Sequence, residues 1–395
     1  MAEKGPVQAR RGRPRQAEVA RLAGVSQTTV SLVLGGNKQG IALHEDTRRR
    51  VLDAARELGY VPDPAARRLA AARNNLLGVF SFTATFPTAV EHSYYPILVG
   101  VEQEAAARGY DLVLFTGSSS GGAQADAPRA LERVRLADGC LFIGRHIPEA
   151  DLRRLVDHGY PAVHIGRRDE LEGLAWVGAD YVAASAEVVR HLAGLGHRKI
   201  VLVREDDDAP ASSDREQGFR AGLAAAGLPG GGEMPRRGGG EMPRRGGDET
   251  RLRGGAARAG SVAASSAAAA AVTRTADPAT DITADWLRAR RAEGVTAFVA
   301  EETDTGAAWR ALLAATEAAG LEAPRDLSLA LLGSPPADLA ARPVPTGFDI
   351  PRAELGAAAV RMLAAELAGK EAAESLVACT FRTGVTAGPP PTPTG

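Results

Sequence analysis

QAEVARLAGVSQTTVSLVL, residues 16–34, carries two short apolar stripes separated by a glycine. Val19, Leu22 and Ala23 fall on one helical face, and Val25, Val30 and Leu34 form a second stripe that can pack against it. Ala20 is small enough to let two helices approach closely. Gly24 stands where a tight turn between helices requires a residue tolerant of positive φ. Ser26 is placed to cap the next helix, its hydroxyl accepting from the first free amides. The stretch predicts a helix-turn-helix. Its second helix would present Gln27, Thr28 and Ser31 to solvent near the N-terminus, the end that meets base edges when such a helix enters a major groove. Glutamine can bond adenine through both its polar atoms, and threonine can bond a base or touch the thymine methyl. A helical hairpin in any bundle would carry the same apolar pattern, with those polar residues merely solvated.

The neighbouring text favours the first alternative. HEDTRRRVLDAARELGYVPD, residues 44–63, supplies a third amphipathic helix with Val51, Leu52, Ala55 and Leu58 inward and Arg48, Arg49 and Arg50 outward. Pro62 and Pro64 interrupt it, because proline cannot donate to a helix interior and disfavours helical geometry in the residue before it. A linker therefore begins near Tyr60. PAARRLAAAR, residues 64–73, is helix-capable but too short to be stable alone. Residues 1–15 are rich in Arg, Gly and Pro and read as a flexible basic arm. The chain's formal charge of −1 conceals an asymmetry: residues 1–73 hold 14 Lys and Arg against 7 Asp and Glu, a surplus of +7, so the remainder carries −8. A basic head on an acidic body suggests a polyanion-binding module joined to a domain with another task.

From Leu76 the text changes period. Buried-strand runs at 76–82, 110–117, 138–144 and 161–166 alternate with helical text at 94–109, around 124–137 and at 149–158. A second cycle follows, with strands at 199–203, 295–299 and 327–332 and helices at 181–195, 215–226 and 306–319. Alternation at this spacing predicts βαβ units and two successive parallel-sheet halves. Between them, residues 229–272 are low-complexity Gly, Arg and Ala, including an octad, GGGEMPRR at 230–237, repeated at 238–245. Such text cannot bury enough apolar surface to offset chain entropy, so a disordered insertion is expected. Its paired arginines could add nucleic-acid contacts, but repeat expansion in a tolerated loop is the better explanation.

Composition narrows the classes further. With 395 residues, 45% apolar and 24% charged, the chain can build two or three cored domains. Its longest small-and-apolar run, Ser261–Val272, is shorter than the roughly 20 residues a membrane span needs. The basic start lacks a following apolar segment, so no secretory signal is expected. Cys140 and Cys379 sit singly in apolar text with no CxxC or Cys/His cluster, which argues for a reducing cytoplasm and no metal site. No GxGxxG opens a helix after residues 76–82, and neither a P-loop nor a Ser/His/Asp elbow is visible, so no catalytic residues and no cofactor are expected.

GVSQTTVSLVL, TRRRVLDAARELGYVPDPAARRLA and NNLLGVF together resemble the LacI/GalR family of bacterial transcriptional regulators, densely over the first 80 residues and more loosely beyond. The resemblance implies an all-α helix-turn-helix DNA-binding domain at 16–61, a hinge at 62–75, and an α/β body at 76–395. That body is expected as two doubly wound parallel-sheet lobes of the periplasmic-binding-protein-like type, which bind an effector and dimerise. It also implies base reading by Gln27 and Thr28 and a minor-groove wedge at Leu69, with Arg67 and Arg68 beside it on the phosphates. An apolar wedge unstacks a base step and bends the duplex, which fits that role; Leu69 could instead be a linker residue packed on the body. Leu32 departs from the family, which often has a polar residue there. The loop at 35–43 is longer than usual, and His44 replaces the usual serine cap, so operator sequence does not carry over.

For the body, the resemblance implies a small-molecule effector such as a sugar beyond the carboxyl ends of the strands, where open α/β sheets take ligands. Tyr94 and Tyr95 match an aromatic position that stacks on effectors in some relatives, or else pack beneath the loop. Asp180 matches an acidic or polar position after an inter-lobe strand. Arg215 matches an effector-binding arginine, or else makes a surface ion pair. Two further matches fail: Glu302, Thr303 and Asp304 stand where relatives commonly have Asn-Asp, and Gly333, Ser334, Pro335 and Pro336 replace Gly-(Phe/Tyr)-Asp-Asp. Together these readings give a cytoplasmic, homodimeric repressor of a carbohydrate-type operon that binds a double-stranded DNA operator under effector control, without membrane attachment. The alternatives are a metabolic enzyme or a solute-binding protein with a fused DNA-binding head and no effector regulation.

Overall fold

The computed structural model describes residues 14–34, 43–60, 74–82, 94–115, 131–145, 147–230, 272–303, 305–339, 342–371 and 374–392. They fall into two compact units, Met1–Asn74 and Asn75–Gly395.

The first unit is three helices, α1 (Gln16–Ala23), α2 (Gln27–Leu34) and α3 (Glu45–Leu58), around Val19, Val30 and Val51, all fully buried. Gly24 ends α1 in the left-handed region at φ 65°, which lets the chain turn at once into α2. Gly59 ends α3 in the same way at φ 61°. Leu22, expected in the inward stripe, is 46% exposed. At about 100° per residue the buried face of α1 centres between Val19, Ala23 and Ala20, which carries Leu22 round to the rim. The small Ala54, absent from the expected stripe of α3, is buried there.

The second unit holds two six-stranded sheets. Lobe 1 orders its strands β11-β5-β4-β3-β1-β2, and lobe 2 orders them β12-β10-β9-β8-β6-β7. The lobe 1 strands are β1 (Leu76–Ser81), β2 (Asp111–Phe115), β3 (Gly139–Ile143), β4 (Ala162–Ile165), β5 (Ala175–Ala179) and β11 (Ser375–Val377). Those of lobe 2 are β6 (Ile200–Glu205), β7 (Val272–Thr275), β8 (Ala297–Glu301), β9 (Ser328–Leu332), β10 (Thr346–Asp349) and β12 (Thr380–Arg382). All neighbours pair in parallel except β12, which runs antiparallel to β10. β1, β3, β8 and β9 are buried along their whole length, as expected of parallel strands covered on both faces.

The halves are not simply successive. After β5 the chain enters lobe 2 through α6 (Tyr181–Gly194). After β10 it returns to lobe 1 through α10 (Arg352–Leu367), and after β11 it crosses again to β12. In lobe 1, α10 packs against α4 (Tyr94–Ala107); in lobe 2, α6 packs against α7 (Pro210–Ala225). Glycines permit both contacts. A Cβ on Gly356 would lie 2.1 Å from the Ile97 carbonyl oxygen, and one on Gly218 would lie 2.3 Å from that of Val182. The remaining helices longer than one turn are α5 (Glu149–Asp157), α8 (Ala284–Ala292) and α9 (Ala307–Ala318).

Several boundaries differ from the sequence reading. α7 begins at Pro210 rather than Arg215, since a proline in the first helical turn loses no hydrogen bond. The strand expected at 295–299 is two residues later, and Val272, the last residue of the expected insertion, opens β7. Pro229 and Gly230 are described, and residues 231–271 of that insertion lie outside the described residues. So does the first half of the helix expected around 124–137, residues 124–130; in the second half Arg133–Leu136 form a 3₁₀ turn. No helix among the described residues is long and apolar enough to cross a membrane.

Candidate functional site

In the first unit the polar surface of α2 is set by its N-terminal turn. Ser26 Oγ accepts from the Thr29 amide at 3.1 Å and bonds Thr29 Oγ1 at 2.9 Å, so this cap satisfies one free donor and fixes the helix start. Gln27, Thr28 and Ser31 are all exposed on the first turns. Leu32 is half-buried, so it is not available as a fully solvent-facing contact. Arg48 and Arg49 are exposed on α3, whereas Arg50 turns back to donate to the Ala23 carbonyl at 3.3 Å, tying α3 to the α1–α2 turn. His44 begins α3 without a side-chain cap. Arg67, Arg68 and Leu69 lie outside the described residues.

In the second unit a cleft of about 150 Å³ lies between the lobes, where the carboxyl ends of several strands converge. Lobe 1 lines it with Gly144 and Arg145 after β3, and with Gly166, Arg167 and Arg168 after β4. Lobe 2 contributes Asp214 and Arg215 from α7 and Glu302 and Thr303 after β8. Tyr181, Ile350 and Arg352, from segments that pass between lobes, complete its sides.

Arg215 is the most constrained of these. Only 3% exposed, it donates through Nε to the Leu332 carbonyl at 2.9 Å and lies 3.5 Å from Glu302 through Nη2. Its guanidinium stacks 3.9 Å from the centre of the Tyr181 ring. Burial works against its charge, but Tyr181 and the carboxylates of Glu302 and Glu301 outweigh it, so its pKa is raised. Glu302 also receives Arg352, whose Nη1 reaches Ser334 Oγ at 3.4 Å.

Two further arginines bridge the lobes. Arg167 grips both carboxylate oxygens of Asp214, with Nε to Oδ2 at 3.0 Å. Arg145 pairs with Asp207 and donates to Ser212 Oγ at 2.7 Å. Burial raises the pKa of Asp214 even though Arg167 opposes that rise. Behind the cleft Glu216, fully buried, collects Arg204, Arg220 and Arg274 at 2.8–3.1 Å, a framework that holds β6, α7 and β7 together.

Of the four body residues singled out from the sequence, Tyr94 and Arg215 line the cleft together. Tyr95 is 54% exposed and is not among the lining residues. Asp180 caps α6 by accepting from the Ala183 amide at 2.9 Å, and it too is absent from the lining. Sequence reasoning passed over Arg145, Arg167, Arg168, Asp214 and Arg352. The first three stand two or three residues beyond the ends of β3 and β4, where a ligand-facing position is expected, so strand ends were the available signal. Among the described residues no group of three or more His, Cys, Asp or Glu could hold a metal ion.

Three family profiles match the chain. Residues 17–63 match "Bacterial regulatory proteins, lacI family", residues 83–234 match "Periplasmic binding proteins and sugar binding domain of LacI family", and residues 189–383 match "Periplasmic binding protein-like domain". Among curated proteins, the HTH-type transcriptional regulator CelR of Thermobifida fusca is 33% identical over 221 residues, 55% of this chain and 64% of that protein. An uncharacterized HTH-type transcriptional regulator from the aml 5' region of Streptomyces limosus is 36% identical over 217 residues, 53% of this chain and 58% of that protein. The chain thus spans somewhat under two thirds of these relatives' length. Among solved structures, the lac repressor dimer bound to operator and the anti-inducer ONPF superposes with a TM-score of 0.67 at 18% identity, covering 95% of this chain and 100% of that one. A CelR–cellobiose complex superposes with a TM-score of 0.54 at 24% identity, with the same coverage. These likenesses establish the fold: a helix-turn-helix region and two periplasmic-binding-protein-like lobes.

Proposed function

The chain belongs to the LacI family of bacterial regulatory proteins, and on that premise we propose that it is a cytoplasmic, sequence-specific DNA-binding regulator, acting as a homodimeric repressor whose operator affinity a small effector modulates. The observation that carries this reading is the start of α2. A glycine turn, a serine cap and three exposed polar side chains, Gln27, Thr28 and Ser31, stand together on a helix whose opposite face is buried. Each head fills one major-groove half-site, with Gln27 and Thr28 on base edges and the basic side chains on phosphates. Leu69, preceded by Arg67 and Arg68, wedges into the minor groove between the half-sites. Two chains are required because one head supplies too few contacts to discriminate a site.

The cleft is the second part of the reading. Arg215 and Tyr94 face an effector there, and the effector changes operator affinity only to the extent that it binds the two lobe arrangements unequally. The experiment is a mobility shift with the full chain on its own upstream DNA. We expect a shift at nanomolar protein that weakens steeply with salt and is absent on a scrambled duplex. Leu69→Ala should weaken specific binding far more than non-specific binding. Equal affinity for both duplexes would overturn the proposal.

A further inference from the structure

Apart from Arg215 and Arg352, which Glu302 holds, the charges around the cleft divide by lobe. Lobe 1 contributes Arg145, Arg167 and Arg168 from the loops after β3 and β4, and lobe 2 faces them with Asp207, Asp214 and Glu302. Two of the three lobe 1 guanidiniums are held by carboxylates from the opposite wall, Arg145 by Asp207 and Arg167 by Asp214. The third is short of an acceptor. Arg168 is 4% exposed and donates to the Gly144 and Arg145 carbonyls at 2.6 and 2.9 Å, yet its buried Nε has no hydrogen-bond partner. Its carboxylate neighbour Glu170 stands 3.8 Å away and is itself 39% exposed. A buried guanidinium nitrogen without an acceptor is costly, and Arg168 is one of the residues that line the cleft.

Resting on the effector reading above, we propose that the cleft takes an anionic polyol, a small molecule bearing a carboxylate or phosphate together with hydroxyls. The anion lies on Arg145, Arg167 and Arg168 of lobe 1, and the hydroxyls face Asp214 and Glu302 of lobe 2. Arginine forks match carboxylate and phosphate oxygens in pairs, while carboxylates accept from hydroxyls. Asp207 and Asp214 then act as internal stand-ins for the ligand's anion. Binding exchanges one carboxylate partner of Arg167 for another, and Asp214 is released to accept a hydroxyl. A neutral sugar gives Arg168 no comparable acceptor.

The test is titration calorimetry on the full chain at constant ionic strength with D-gluconate, D-glucose 6-phosphate, D-glucose and cellobiose. We expect at least one of the two anions to bind about tenfold or more tightly than either neutral sugar, and the two anionic arms to tell carboxylate from phosphate. Arg168→Gln should weaken that binding about tenfold while circular dichroism stays native. Asp214→Asn removes the charge that competes for Arg167 but keeps an amide oxygen to accept the hydroxyl, so it should tighten binding several-fold, a gain that a damaged fold cannot imitate. Neutral sugars binding as tightly as the anions would overturn the inference and leave effector sensing standing. No binding of any probe up to about 10 mM, by a protein that still shifts its operator, would overturn this inference and the effector reading but not the DNA-binding one. Weaker anion binding in Asp214→Asn would also count against it.

Discussion

Arg167 and Asp214 clasp the two lobes across the cleft, with Nε donating to Oδ2 at 3.0 Å and Nη2 to the other oxygen. The pair joins the loop after β4 in lobe 1 to α7 in lobe 2, and Asp214 is almost wholly buried. A forked arginine–carboxylate pair fixes relative orientation as well as distance, so these two residues hold the lobes at this spacing.

A double-mutant cycle measures that clasp. Arg167→Gln leaves a buried carboxylate unpaired and should cost about 1–3 kcal/mol in denaturant unfolding. Asp214→Asn should cost less, because the partly exposed arginine can turn to water, and the double variant should lose less than the two singles combined, with an interaction of about 1–2 kcal/mol. Strict additivity would remove the clasp.

Helix contacts made through glycine should be intolerant of one added carbon. Gly356→Ala places a Cβ 2.1 Å from the Ile97 carbonyl oxygen, so α10 must shift away from α4 at a cost of about 1–3 kcal/mol. Gly194→Ala, where no atom lies within 4 Å of the added carbon, should be neutral or stabilising and serves as the control. Thermal melts of the two variants decide the point.

His164 makes the body sensitive to acid. It is fully buried in β4, with Nδ1 2.8 Å from the Gly166 carbonyl, and burial together with the charge of Arg168 lowers its pKa to about 3. The unfolded chain takes up a proton near pH 6.5 that the folded chain refuses. Stability is therefore fully present above that pH and falls as pH drops toward 3, by about 2 kcal/mol at pH 5 from this group alone. His164→Gln should flatten the decline between pH 6.5 and 5; an unchanged slope would place the acid sensitivity elsewhere.

The head offers a local check. Ser26→Ala removes the acceptor for the Thr29 amide and should cost the first unit about 1 kcal/mol, with little effect on the melting of the body. A loss of DNA affinity larger than that stability change would give Ser26 a contact of its own.

How far these features could be read from residues alone depended on how much signal each element carried. The three-helix head was legible because Val19 and Ala23, Val30 and Leu34, and Val51 and Ala55 each stand four residues apart and Gly24 marks the turn. β1 to β4 announced themselves as short, mostly apolar runs. α10 did not, since RAELGAAAVRMLAAEL is dominated by alanine, whose burial leaves no strong stripe. β11 and β12, with three residues each, are too short to show a period. Arg215 was found through the family resemblance, whereas Arg145 and Arg167 act through partners 62 and 47 residues away, pairings that only the folded topology creates.

The repeated crossing of the chain between lobes also governs its birth on the ribosome. α10 covers β3, β4 and β5, and β11 and β12 each add a strand to the edge of a sheet, so neither lobe is complete until residues near 380 have emerged from the exit tunnel. Until then the nascent polypeptide carries a bare apolar layer and open strand edges, the kind of surface that chaperones shield. Premature termination between β10 and α10 would yield two unfinished lobes rather than one sound lobe and one defective one.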